Sequence, residues 1–296
     1  MVIDPSPPEI LHEDAHIIVV VKPAGLPTAN AARGQRSLFT LLAAARPRGD
    51  FLGVVSRLDA PVSGVVVLAN TRLAAADLSR QFRERLVGKS YEAIVEGRFP
   101  GALSRWVDWH DRLTRQGDEH RSRVQLGRGH RGRGTSGRSA VGPGSASDTA
   151  RAAPDSSGRC AGEDADAEGH DGDGHARHGA DCHVRARVIR RLGEVSLVEL
   201  VPSSGRRHQL RAQLAERRCP IVGDRTYGSR LPFPSGPGLG PAIALHARRL
   251  TFRHPHSGDR MEFVANRPAA WHASYPEFGH DGGEPPPQQV DRRVSG

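Results

Sequence analysis

Between Gly127 and Ala180 the chain has no Phe, Tyr or Trp, and Val141 is its one large aliphatic residue. The segment is built from Gly, Ser, Ala, Arg, Asp and His. Arg128, Arg131, Arg133 and Arg138 lie toward its front, and Glu163, Asp164, Asp166, Glu168, Asp171 and Asp173 toward its back. Such a composition buries too little apolar surface to offset the entropy of ordering the chain, so residues 127–180 read as a disordered insertion. Any core must be assembled from the sequence on either side. The expected organisation is one domain over residues 9–276, interrupted by 127–180, with a disordered tail over 277–296.

Outside the insertion the apolar residues fall into short runs. Phe51 to Val55 and Val65 to Ala69 predict two strands joined by Ser56-Arg57-Leu58-Asp59-Ala60-Pro61-Val62-Ser63-Gly64. That turn places a carboxylate, Asp59, between rigid elements with Arg57 close by, an arrangement suited to presenting a catalytic group. Next comes Thr71-Arg72-Leu73-Ala74-Ala75-Ala76, with Leu78, Phe82 and Leu86 at i, i+4 and i+8. This spacing predicts an amphipathic helix with Thr71 near its N-cap. From Gly88 to Gly97, Tyr91, Ala93 and Val95 alternate as in a strand, and Leu210 with Leu214 predicts a short helix packed on the core. Many short strands, few helices and turn signals between them give a mixed, mainly antiparallel α+β domain with flanking helices.

The net charge of +9 points toward a polyanionic partner, because Lys and Arg gain by displacing counterions from phosphates. Met1 to Pro8 lacks a basic region followed by an apolar core, and no run approaches membrane-spanning length. Cys160, Cys182 and Cys219 form no disulfide framework, so a reduced, cytoplasmic protein is expected. Several motif-like patterns are set aside. G-x-G-x-x-G matches at Gly127 and Gly132 lie inside the insertion, with neither a strand before nor a helix after them. Gly88-Lys89-Ser90 mimics the end of a phosphate loop, but Arg83 stands where the leading glycine belongs. Pro61 rules out a nucleophile elbow at Ser63. His170, His175, His178, Cys182 and His183 lack paired spacing, so no metal site is expected.

Taken in order, the longer motifs carry a resemblance. Arg57-Leu58-Asp59 with Ser63-Gly64 is followed by Lys89-Ser90-Tyr91-Glu92-Ala93 with Gly97. Further on stand Gly205-Arg206-Arg207-His208-Gln209-Leu210-Arg211, Pro220-Ile221-Val222-Gly223-Asp224 with Tyr227-Gly228, and Leu245-His246-Ala247 with Leu250. The chain resembles the RluA-like pseudouridine synthases over about residues 9–126 and 181–268, including an opening Asp14 and the Val19 to Pro27 strand and turn. The resemblance implies a central sheet with an active-site cleft running across it. It also implies that uridines in structured ribosomal or transfer RNA are isomerised. With the first strand placed at about Ile17, no S4-like RNA-binding domain is expected before it.

Isomerising uridine to pseudouridine breaks the C1′–N1 bond and rejoins ribose to C5 of the same base, so no redox cofactor or energy source is required. What the resemblance implies for residues is specific. Asp59 is the nucleophile, attacking ribose C1′ or uracil C6. Arg211 pairs with it and keeps it ionised. Tyr91 stands against the target base, offering a stacking face and a hydroxyl. Arg57 beside Asp59 is a wedge or phosphate clamp, and Lys22, Lys89, Arg206 and His208 are candidates for RNA-backbone contacts. Ser56 and Val62 depart from the His and Thr usual there, and Arg206-Arg207 replaces Arg-Thr or Arg-Ser, which bears on RNA contacts rather than on catalytic groups. The expected protein is a monomer acting on RNA, not DNA or membrane. The competing reading is an RNA-binding or RNA-chaperone protein on the same scaffold that has lost catalysis; retention of Asp59, Tyr91 and Arg211 favours the enzyme.

Overall fold

The computed structural model describes residues 7–29, 36–115, 122–127 and 179–279. Within them, strands β1 (Glu9–Glu13) and β2 (Ile17–Lys22) precede helix α1 (Leu38–Ala44), and β3 (Gly53–Val54) and β4 (Ser63–Ala69) precede α2 (Arg72–Arg83). Then come β5 (Gly88–Glu96), β6 (Val107–Arg115), β7 (Ser122–Leu126), β8 (Ala180–Leu192) and β9 (Val195–Pro202). Helix α3 (Gln209–Glu216), β10 (Leu245–Arg253), β11 (Arg260–Val264), α4 (Ala269–Ser274) and α5 (Pro276–Gly279) complete the order.

All eleven strands join one sheet in the order β1-β2-β4-β10-β5-β9-β8-β6-β7, with β3 added on β4 and β11 on β10. Every pairing but β4–β10 is antiparallel. The mixed, mainly antiparallel α+β reading therefore holds. The residues before and after the insertion form a single unit, since β8 and β9 pair with β6 and β5.

The centre of the sheet is covered on both faces, which is why β2 and β4 are continuous apolar runs rather than alternating ones. Val65, Val67 and Ala69 pack with Ala74 and Leu78 of α2, whereas Val66 and Leu68 pack with Leu38 and Leu42 of α1. Both helices are capped as their sequences suggest: Thr71 accepts from the Ala74 N–H, and Ser37 and Thr40 close a reciprocal capping box. Helix α2 stops before Leu86, because Arg85 adopts a left-handed φ of 60°. Leu86 consequently points to solvent instead of extending the apolar face.

Two expected boundaries move. A strand precedes Ile17: β1 is a polar, largely exposed edge strand, Glu-Ile-Leu-His-Glu, and its pairing to β2 leaves no apolar alternation to find. The tail does not begin at Glu277. Residues 276–279 form α5, and Phe278 is fully buried in the main core with Trp271 of α4. Trp271, Tyr275 and Phe278 stand at i, i+4 and i+7, but Pro276 breaks the run, so the signal is short and ambiguous. Residues 128–178 and 280–296, with most of the insertion and tail, lie outside the described residues.

Candidate active site

Asp59 sits in the turn before β4, and the backbone on both sides of it is tied down. The Thr28 hydroxyl donates to the Leu58 carbonyl at 2.9 Å and accepts from the Leu58 N–H at 3.1 Å. The Gly25 N–H and the Lys22 ammonium both donate to the Ala60 carbonyl, at 2.7 and 3.2 Å, and the Ile243 N–H donates to Pro61. The next turn of chain needs Gly64: its φ is +125°, and a Cβ there would lie 2.3 Å from the Ala247 carbonyl oxygen of β10. Val62, the departure from the family's Thr, is buried in the main apolar core.

Opposite this turn stands α3. Leu210 and Leu214 bury into the core, as their spacing predicts, and this aims Arg211 at the Asp59 turn. The guanidinium is divided between two carboxylates. Its Nε and Nη2 donate to the two oxygens of Asp224 at 2.7 and 2.8 Å, while Nη1 reaches Asp59 Oδ2 at 3.3 Å. The expected pair with Asp59 is therefore real but single, and the two-pronged partner is Asp224, which is only 1% exposed. Burial pulls the Arg211 guanidinium down, but the two carboxylates outweigh it and hold the pKa above its usual value. The Tyr227 ring lies beneath the guanidinium at 5.0 Å. Asp224 and Tyr227 both stand in a motif named from sequence, but only the folded chain reveals that they grip Arg211.

Helix α3 is also fixed from its far end. Gln213 and Arg217 donate to the buried Asp111 of β6 at 2.7 and 2.9 Å, and the Arg217 guanidinium lies 4.0 Å from the centre of the Trp109 ring.

Tyr91 projects from β5 onto the core cluster, against which Leu58 also packs. Burial and the charge of Asp59 push its phenol up to about 12, so it is a protonated donor with a ring face at neutral pH. His208 starts α3 with a left-handed φ of 57°. Its Nε2 lies 3.5 Å from Asp59 Oδ2, its Nδ1 is 3.2 Å from the Tyr227 hydroxyl, and its side chain is only 10% exposed. It faces inward and is not placed as an RNA-backbone contact.

Lys22 is not an RNA contact either. It is fully buried, and its ammonium donates to the carbonyls of Pro23, Leu26 and Ala60. Burial pulls its pKa down to about 7, partly offset by Asp59. In sequence a Lys beside a turn looks like a surface cation; here it ties the opening turn to the Asp59 turn. Lys89 is half-buried against Gly205, and burial followed by the charge of Arg85 lowers its pKa. Arg57 and Arg206 are exposed on either side. Two surface recesses, of about 360 and 610 Å³, lie near this region without including Asp59, whose side chain is 25% exposed.

Asp59, Tyr91, His208 and Arg211 thus converge, with Lys22 beneath and Lys89, Arg57 and Arg206 around them. A carboxylate, a neutral phenol and flanking cations suit acid–base or nucleophilic chemistry on a polyanion. Comparison with known proteins identifies the family. A model of the RNA pseudouridylate synthase family matches residues 16–216. The tRNA pseudouridine synthase C of Yersinia pestis is 27% identical over 96% of this chain and 95% of its own length. The dual-specificity RNA pseudouridine synthase RluA of Escherichia coli (strain K12) is 30% identical over 86% of this chain and 91% of that protein. The solved structure titled human RNA pseudouridylate synthase domain containing 1 matches with a TM-score of 0.58 at 22% identity. That match covers 87% of this chain and 82% of the human one, and it shows a common fold. The chain belongs to the RNA pseudouridylate synthase family. Its activity is that of an RNA pseudouridine synthase, an isomerase.

Proposed function

We propose that Asp59 is the nucleophile in a cofactor-free isomerisation of uridine in structured ribosomal or transfer RNA. The observation that carries this reading is the pinned Asp59 turn facing Arg211, with Tyr91 close enough to feel the carboxylate's charge. The relatives support the substrate class, since their names specify tRNA or dual RNA specificity.

The sequence of events follows from the groups present. A uridine leaves its stack at a cost of a few kcal/mol. Tyr91 supplies the ring on which the base rests. Asp59 attacks ribose C1′ or uracil C6, the C1′–N1 bond breaks, ribose rejoins at C5, and the bond to Asp59 breaks again to return the free carboxylate. The C5 proton is lost and N1 gains one, so atoms balance without a second substrate. Arg211 directs Asp59 through its contact to Oδ2. Arg57, Arg206 and the Lys89–Arg85 pair hold RNA phosphates; among the described residues no acidic side chain neutralises Lys89 or Arg85, which leaves these charges for an anion. The enzyme works as a cytoplasmic monomer.

Asp59→Asn keeps the shape of the side chain and removes its charge. Single-turnover release of the C5 proton is expected to vanish while RNA affinity stays near wild type. Residual activity within about tenfold of wild type, only ~1.4 kcal/mol of barrier, rejects Asp59 as nucleophile. RNA binding with no activity in the wild-type protein would favour the non-catalytic RNA-binding reading.

A further inference from the structure

Asp59 is held by one of its two oxygens. Arg211 Nη1 and His208 Nε2 lie 3.3 and 3.5 Å from Oδ2, and among the described residues no hydrogen bond reaches Oδ1. On the other side of the imidazole, Nδ1 is 3.2 Å from the Tyr227 hydroxyl, which itself accepts from the Ser122 N–H at 2.9 Å.

This chain decides where the imidazole proton sits. The Ser122 N–H occupies one acceptor site of the Tyr227 oxygen. The Asp59 carboxylate beside Nε2 favours the ring proton there, since a lone pair facing it would be repelled, and Nδ1 is then an acceptor for the phenol proton. The reverse tautomer would aim the Nε2 lone pair at Asp59 and leave the phenol proton without this acceptor. We infer that His208 is a positioning residue for the isomerisation: a neutral imidazole, oriented by Tyr227 on its far side, that anchors Asp59 Oδ2 with Arg211 and leaves Oδ1 to face the uridine.

The inference rests on Asp59 as the reacting carboxylate. The surroundings agree with a neutral ring. Burial lowers the His208 pKa, Asp59 pulls it back up, Arg211 and Arg207 push it down, and Asp224 raises it; the net direction is downward. The left-handed backbone of His208 is the kind of strain a structure holds where a side chain must be aimed.

Tyr227→Phe is the clean test, because the ring under Arg211 remains and only the hydroxyl is lost. His208→Asn is its companion: Asn tolerates the left-handed conformation, so the variant folds, but its side chain is too short to reach Asp59. At saturating enzyme, single-turnover rates are expected to fall about tenfold in Tyr227→Phe and about a hundredfold in His208→Asn, with RNA affinity within about twofold. Wild-type rate is also expected to decline toward acid pH as His208 gains a proton, and this limb is expected to be missing from His208→Asn. A normal chemical rate with weakened RNA affinity in His208→Asn overturns the inference and makes the residue an RNA contact. A slowed variant with an unchanged pH profile overturns it too, since a merely structural role would do that. Asp59→Asn measured alongside separates the two failures: if it stays active, the nucleophile reading itself has fallen.

Discussion

Arg211 shows how much a single side chain's role depends on its neighbours. A guanidinium has five N–H donors in a rigid fork, and here the fork is spent on Asp224 while one remaining nitrogen reaches Asp59. The buried Asp224 thus fixes the direction of Arg211, and the fixed Arg211 can polarise Asp59 without neutralising it by a two-pronged grip. A lysine at this position would satisfy one partner as a mobile point charge and leave the other poorly paired. Arg211→Lys is therefore expected to lower the single-turnover rate by at least about tenfold while RNA affinity changes little. Loss of affinity at a normal chemical rate would make Arg211 a phosphate contact instead. From sequence the residue and its target were both legible. The competition for its fork was not, because Asp224 lies thirteen positions away on a separate turn.

At the level of elements, the site depends on one parallel junction. Strand β4 leaves the Asp59 turn and meets β10 with Ser63 opposite His246 and Gly64 opposite Ala247. Ser63 Oγ and His246 Nδ1 are 2.9 Å apart there, and the backbones approach so closely that only glycine fits at position 64. Gly64→Ala combines a left-handed backbone with a clash against main-chain atoms that cannot rotate away. It is expected to cost about 3 kcal/mol or more in urea denaturation and to misplace Asp59, so that activity falls even where the fold survives. A variant with wild-type stability would show that β10 can retreat. Helix propensities, caps and apolar runs had already placed α2, β4 and β5 near their observed positions. The edge strand β1 escaped because it carries no repeating pattern, and Phe278 because Pro276 breaks the short run of Trp271, Tyr275 and Phe278.

For the whole molecule, the long connection from β7 to β8 is the boldest feature of the chain. Leu126 ends β7 opposite Asp111, and Ala180 opens β8 opposite Leu113, on the two sides of β6. The gap to be bridged is thus only about two strand spacings, roughly 10 Å. A Gly/Ser linker of about eight residues reaches roughly 26 Å when extended, enough to replace residues 128–178. Because the segment's composition offers no core, the excised protein is expected to melt within about 3 °C of wild type and to keep its single-turnover rate. A fall of more than about 10 °C would show that the insertion packs. By itself the sequence determined the fold class and the family, because apolar periodicity and ordered motifs are local signals. Only the tertiary structure decided that Lys22 is a buried tie, that His208 turns toward Asp59 and that Asp224 holds Arg211. Those outcomes depend on which charges and carbonyls meet across the sheet once water is excluded, and no local pattern encodes such a meeting.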